Sequence, residues 1–171
     1  MPYFTEHYTP DGRIQHITTP LRGKNLLNTS QLNKGCAFTK EERKNLQLDG
    51  LLPESIETLQ QQTNRCYNRY LSYSNPLNRH IFLKNLYCYN EILFYKLITE
   101  HLEEMLPTIY TPTVGEAVKQ FSHEFSQSNG IYISYPNRNK ISEILKSLHP
   151  DHTKLFVITD GEGVLGIGDQ G

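Results

Sequence analysis

The sequence predicts an α/β fragment: a helical N-terminal domain followed by a βαβ unit and a β-hairpin that begin a parallel sheet. Three observations carry this reading. From about residue 34 to 128, apolar residues recur at three- and four-residue spacing between helix start and stop signals. At about residue 129 the period changes, and "GIYISYP", "RNKISEILKSLHP" and "KLFVITD" read as strand, helix and strand. Such a crossover is right-handed and needs parallel neighbours. Two strands and a clipped hairpin offer little sheet on which to bury their faces, so the 171 residues read as a piece of a longer protein.

In chain order, residues 1–33 are rich in Thr, Pro, Asn and Gly, show no period, and are expected to form an extended arm. In "FTKEERKNLQLDGLLP", Thr39 and Glu42 make a T-x-x-E capping box that starts a short helix, which Gly50 and Pro53 stop. Its run from Lys40 to Lys44 reads as an exposed face. Ile56, Leu59, Thr63, Cys66, Tyr67, Tyr70 and Leu71 then mark one face of a helix. Asn75-Pro76 opens a new element, since Pro is tolerated in the first helical turn. The apolar stretch that follows is too long for one ordinary helix. It predicts two, breaking near Tyr89-Asn90, with Pro107 closing the second.

The next stripe, Val114, Val118, Phe121 and Phe125, predicts a helix started by a second T-x-x-E box at Thr113 and Glu116 and ended by Gly130. Residues 129–171 are expected to begin the α/β domain. There Ile141, Ile144, Leu145 and Leu148 face inward from a helix between two strands. A hairpin follows, with Lys154 to Thr159 as one strand, Asp160-Gly161 as the turn and Val164 to Ile167 as a short return strand.

Composition excludes several function classes. Apolar residues make up 37% and charged residues 20%, so a core is affordable, while a mean hydropathy of −0.55 reflects plentiful polar side chains. The net charge of −1 leaves no basic excess to neutralise phosphates, which argues against nucleic acid as a partner. No apolar run is long enough to span a bilayer, and the first twenty residues lack the apolar stretch of a signal peptide. Three widely spaced cysteines, Cys36, Cys66 and Cys88, fit a reduced, cytoplasmic protein.

The chemistry-bearing candidates lie towards the C-terminal side. Gly161, Gly163 and Gly166 spell G-x-G-x-x-G after an apolar run, the written form of a dinucleotide-binding loop. That loop works through the helix it opens, whose N-terminal N–H groups hold the pyrophosphate. The residues after Gly166 are too few and too glycine-rich to nucleate one, so a hairpin is the expected structure. Tyr110 sits in a short loop between two helices, near the N-terminus of the second, where a carboxylate is stabilised. A phenol there suits proton donation to a developing carbanion; the alternative is a tyrosine that packs its ring and bonds a backbone carbonyl. His149 and His152 have ligand-like spacing, but Pro150 breaks their turn, and a solvated loop is the simpler reading. Asp160, Glu162 and Asp169 cluster acid that either serves the turn or holds a divalent ion.

Four blocks in order, "LNKGCAFTKEERKNLQLDGLLP", "LFYKLITEHLEEMLPTIYTPTVGEA", "GIYISYPNR" and "VITDGEGVLGIGDQG", together resemble malic enzymes, most nearly the bacterial NAD-preferring type, over about residues 33–171. That family converts malate to pyruvate and CO2 with NAD or NADP and Mg2+ or Mn2+. The resemblance implies that Tyr110 corresponds to the catalytic tyrosine that protonates the enol of pyruvate. It implies that Gly163 stands where the family usually reads D-G-E-R, the arginine gripping a carboxylate of malate. It further implies that the base lysine, the metal ligands and the dinucleotide domain lie beyond Gly171. The 171 residues alone are then expected to be inactive and to hold neither cofactor nor metal. The family points to malate and pyruvate as partners and to a homo-oligomer. Two other readings stand beside this one. Malolactic enzymes also carry glycine after the acidic turn, in a D-A-E-G form, but tend to read Y-D-P-T where this chain has Y-T-P-T. A non-catalytic assembly module would use the helical domain for subunit contacts. Gln62 and Arg65 match part of an allosteric dicarboxylate site of some animal members, but Tyr89 replaces a second arginine, and surface polar residues are the expected role.

Overall fold

The computed structural model describes residues 3–125, 131–147 and 161–170. They fall into two compact units, Met1–Ile109 and Tyr110–Gly171. The described structure is mostly helical, with one two-stranded antiparallel sheet.

The first unit opens with that sheet, β1 (Thr5–Tyr8) and β2 (Ile14–Thr18), paired Thr5 to Thr18 and His7 to His16 with an irregularity after His7. A short helix, α1 (Gly23–Leu27), follows. The aperiodic stretch that predicts only an extended arm thus carries local structure and contributes to a core. Leu26 and Leu32 are buried with Phe38 and Leu48 in one apolar cluster. Asn33, fully buried, donates from Nδ2 to the Leu27 and Tyr89 carbonyls at 2.9 and 3.1 Å and accepts from Gly35 N–H at 2.8 Å. These tertiary bonds have no sequence period, so no pattern announces them.

The capping box at Thr39 and Glu42 forms as predicted and starts α2 (Lys40–Asn45). The helix ends earlier than Gly50, because Gln47 takes the left-handed conformation (φ 57°) that closes a helix. The face read as exposed is also corrected. Lys40 and Lys44 are exposed, but Arg43 is buried. Its Nε donates to Phe38 O (2.9 Å), Nη1 to Pro53 O (2.6 Å), and Nη2 to Cys36 O (3.2 Å) and Ser55 O (3.3 Å). Burial of this cation is supported by these four carbonyl oxygens, of which that of Cys36 also accepts from Glu57 N–H at 3.2 Å.

Helices α3 (Leu59–Ser72), α4 (Pro76–Tyr89), α5 (Glu91–Glu100) and α6 (Leu102–Ile109) make the main core. Cys66 and Tyr70 from α3, Leu83 and Leu86 from α4, Leu93, Leu97 and Ile98 from α5, and Met105 from α6 are buried together. Of the predicted α3 face, Thr63, Cys66 and Tyr70 are buried, whereas Ile56 and Leu71 are exposed. A second reciprocal box, Thr58 with Gln61, starts α3. The predicted break at Tyr89-Asn90 is present, and Asn90 Oδ1 accepts from Leu93 N–H to start α5. Pro107 does not end its helix but lies inside α6. Proline removes the bond to the carbonyl four residues back, and Glu103 lies on an exposed face, where that carbonyl can be solvated.

Gln62, read from sequence as a surface residue, is buried. Its carboxamide accepts from Cys36 N–H (3.3 Å) and donates to Lys34 O (3.2 Å). Gly35, at φ +56°, lies against it so closely that an added Cβ would overlap Gln62 Oε1. Gly35→Ala is therefore expected to lower stability by about 2 kcal/mol, combining left-handed strain with a disturbed buried bond. A urea-denaturation midpoint equal to that of the parent would contradict this packing.

The second unit holds α7 (Thr113–Lys119), α8 (Phe121–Glu124) and α9 (Ile141–Ser147). The single helix predicted from the Val114–Phe125 stripe is broken at Gln120, and Phe121 and Phe125 are exposed. The expected first strand is not formed among the described residues. Ile131–Ser134 carries no ladder pairing, and Tyr135–Lys140 is a 3-10 helix. A parallel strand is defined by its neighbours' hydrogen bonds, which apolar alternation alone cannot provide. Helix α9 forms where predicted, but Ile141 and Leu145 are exposed. Gly130, Leu148, His149, His152, the strand Lys154–Thr159 and Asp160 lie outside the described residues.

Candidate functional site

Tyr110 is the first of the three residues between α6 and α7, with 41% of its surface exposed. The loop is closed by backbone bonds: Val114 N–H donates to Tyr110 O (2.8 Å) and Gly115 N–H to Pro112 O (3.2 Å). The Thr111–Pro112 peptide is cis. Pro112 occupies the N-cap of α7, so the predicted box at Thr113 does not form. Thr113 is buried, and the Glu116 carboxylate accepts instead from Gln120 Nε2 at 2.9 Å. The first N–H groups of α7 point toward this loop, as expected, and those of Val114 and Gly115 bond the loop's own carbonyls.

The glycine-rich segment is a tight turn. Val164 bridges Gly168 in antiparallel fashion, with Val164 N–H donating to Gly168 O (2.9 Å) and Gly168 N–H to Val164 O (2.8 Å). No helix starts at Gly166, as expected. The predicted return strand Val164–Ile167 is replaced by this local closure, for which Gly161, Gly166 and Gly168 supply positive φ values of 73°, 90° and 63°.

Gly166 joins the turn to the tyrosine loop. A Cβ added there would overlap Thr111 Cγ2 and stand 3.8 Å from Tyr110 Cε2 and Cζ. One added at Gly115 would stand 3.4 Å from Gly166 O. The third glycine of the apparent fingerprint therefore serves close approach to the Tyr110–Gly115 loop, which the sequence reading missed. Spacing gives no sign of it, because the partner lies fifty residues away in sequence. Gly163, in the same turn, has no atom of the described residues within 4 Å of an added Cβ, and its φ lies outside the left-handed region.

Among the described residues no three His, Cys, Asp or Glu side chains converge on one point. Asp169, one of the suspected acids, accepts from Gln170 Nε2 at 3.0 Å. The Gly161–Gly166 segment opens no helix on which a pyrophosphate would rest. Elsewhere, Arg65 forks onto Glu57, with Nη2 to Oε2 at 2.6 Å, and burial pushes the Cys66 thiol up in pKa. No helix among the described residues is long and apolar enough to cross a membrane.

Comparison with known proteins matches residues 88–171 to the malic enzyme N-terminal domain. The NAD-dependent malic enzyme of Aeromonas hydrophila is 49% identical over 152 residues, covering 89% of this chain and 27% of that protein. That of Acinetobacter baylyi is 51% identical over the same shares. That of Aliivibrio salmonicida is 46% identical over 161 residues, covering 94% of this chain and 29% of that protein. The chain thus spans under a third of the length of these relatives. Its helical first unit, its Tyr110 loop and its glycine-rich turn all lie in a sequence that belongs to the malic enzyme family and corresponds to the N-terminal portion of its members.

Proposed function

We propose that this chain supplies the proton-donating part of an enzyme that oxidatively decarboxylates malate, with NAD as hydride acceptor and a divalent metal. The observation that supports the reading is the seating of Gly166 on Tyr110 and Thr111, which joins the two motif-bearing loops. Tyr110 is the proton donor in this reading. When malate has lost CO2, the enol of pyruvate needs a proton on carbon, and an exposed phenol at a loop is suited to give it. A bound divalent metal would supply polarisation of the substrate, and a bound dinucleotide would supply the hydride acceptor. Both would be bound by sequence other than the described residues. The enzyme would act in the cytoplasm as a homo-oligomer.

Position 163 contacts a malate carboxylate in this reading, and glycine there leaves that contact without its charge-assisted partner. The same glycine favours a second reading, malolactic chemistry. The test is a chimera in which these residues replace the matching span of the Aeromonas hydrophila enzyme. Gly163→Arg is expected to raise kcat/KM for malate about ten- to a hundredfold, the equivalent of one hydrogen bond to a charged group. A Cβ there meets none of the described residues, and arginine offers a carboxylate two parallel N–H groups. If lactate forms without net cofactor reduction and arginine brings no gain, the malolactic reading replaces the first.

A further inference from the structure

We propose that His7 and His16 form a two-imidazole site for a divalent late transition metal, such as Ni2+ or Zn2+, on the β1–β2 sheet. The backbone register sets them directly opposite each other. Their rings lie face to face, with centroids 4.3 Å apart and planes within 7°. In an antiparallel pair, side chains directly opposite share one face, so both imidazoles stand on the same side with Thr5 and Thr18. Glu6 lies on the other face of β1, where its carboxylate takes the Tyr8 hydroxyl. No carboxylate of the two strands therefore competes for the imidazoles.

A further contact orients the site. His7 Nε2 lies 3.0 Å from Thr18 Oγ1. In the tautomer that donates Nε2–H to this hydroxyl, the lone pair is left on Nδ1. Metal-binding histidines are oriented in this way, with the second ring nitrogen held by an outer partner. Imidazole nitrogens bind such metals at about 2.0–2.1 Å, which sets two ligands on one ion roughly 3 Å apart. In the stack the in-plane lone pairs run side by side, and rotation of the exposed His16 side chain out of the stack lets the two nitrogens converge on one ion. His16 is exposed, so water can complete the coordination. Borderline imidazole donors select Ni2+, Zn2+ or Cu2+ over Mg2+ or Ca2+.

The experiment titrates Ni2+ into the untagged full chain, followed by calorimetry and by paramagnetic broadening of backbone amide signals. One ion is expected to bind, broadening the signals of residues 5–8 and 14–18 first. His16→Thr and His7→Gln should each weaken binding about tenfold or more, and Thr18→Val, which removes the orienting partner, by about tenfold. The cross-strand amide contacts of each variant report whether the sheet is retained, and Thr is a good strand former. Broadening that begins elsewhere, or affinity unchanged in both histidine variants with the sheet intact, would overturn the site.

Discussion

Arg43→Ala is expected to destabilise the chain by about 3 kcal/mol or more, since several buried carbonyls each lose a donor at about 1–3 kcal/mol. The side chain bonds four carbonyls, those of Cys36, Phe38, Pro53 and Ser55. It thereby ties the segment before α2 to the loop after it. Each such bond to a charged group is worth about 1.5–3 kcal/mol, and the deserted carbonyls lose their partner in a buried setting. Against a total of roughly 5–15 kcal/mol for a typical domain, the loss is large enough to leave a substantial unfolded fraction. Arg43→Lys should recover little, because one ammonium cannot reach four oxygens spread around a planar fork. Urea denaturation of the three proteins reads this directly. A midpoint for Arg43→Ala within about 1 kcal/mol of the parent would show that the loop carbonyls find other partners.

Tyr110→Phe, in the chimera described above, should lower kcat about 10²–10⁴-fold, the usual contribution of a positioned acid or base. The substitution removes the hydroxyl and keeps the ring. The ring is the part that meets the Gly166 turn, so the melting temperature should not move. Hydride transfer precedes the proton step in the proposed sequence. NADH formation in a single turnover should therefore survive better than release of pyruvate. If kcat is unchanged, the proton comes from elsewhere, and Tyr110 is a packing residue of an exposed loop.

What could be read from the sequence was local. The Thr39–Glu42 box and the Asn75-Pro76 start each place their signal within four residues of the helix they set. The break at Asn90 was equally legible, because an asparagine that caps one helix stands where the previous one ends. The family's four blocks were legible for the same reason, as short runs. The misreadings were non-local. Arg43 was counted as solvent-facing among charged neighbours, since nothing in "KEERK" reveals carbonyls arriving from residues 36 and 55. Residues 131–134 alternate like a strand but lack ladder partners among the described residues. The Gly166 approach to Thr111 requires knowing that the two loops meet. Pro107 was read as a stop by a rule that holds for buried helix interiors and relaxes on an exposed face.

The contrast between two glycines of the same turn has a practical side. Gly166 is confined by Thr111 and by its own φ, whereas Gly163 stands in open space with ordinary backbone geometry. A saturation library at position 163 would vary substrate chemistry while leaving folding untouched, and a library at position 166 would do the reverse. Selection can exchange the residue at 163 in a single step, without repacking. In the proposed reading, reaction preference at this turn is a readily reversible trait, carried on a backbone that position 166 holds fixed.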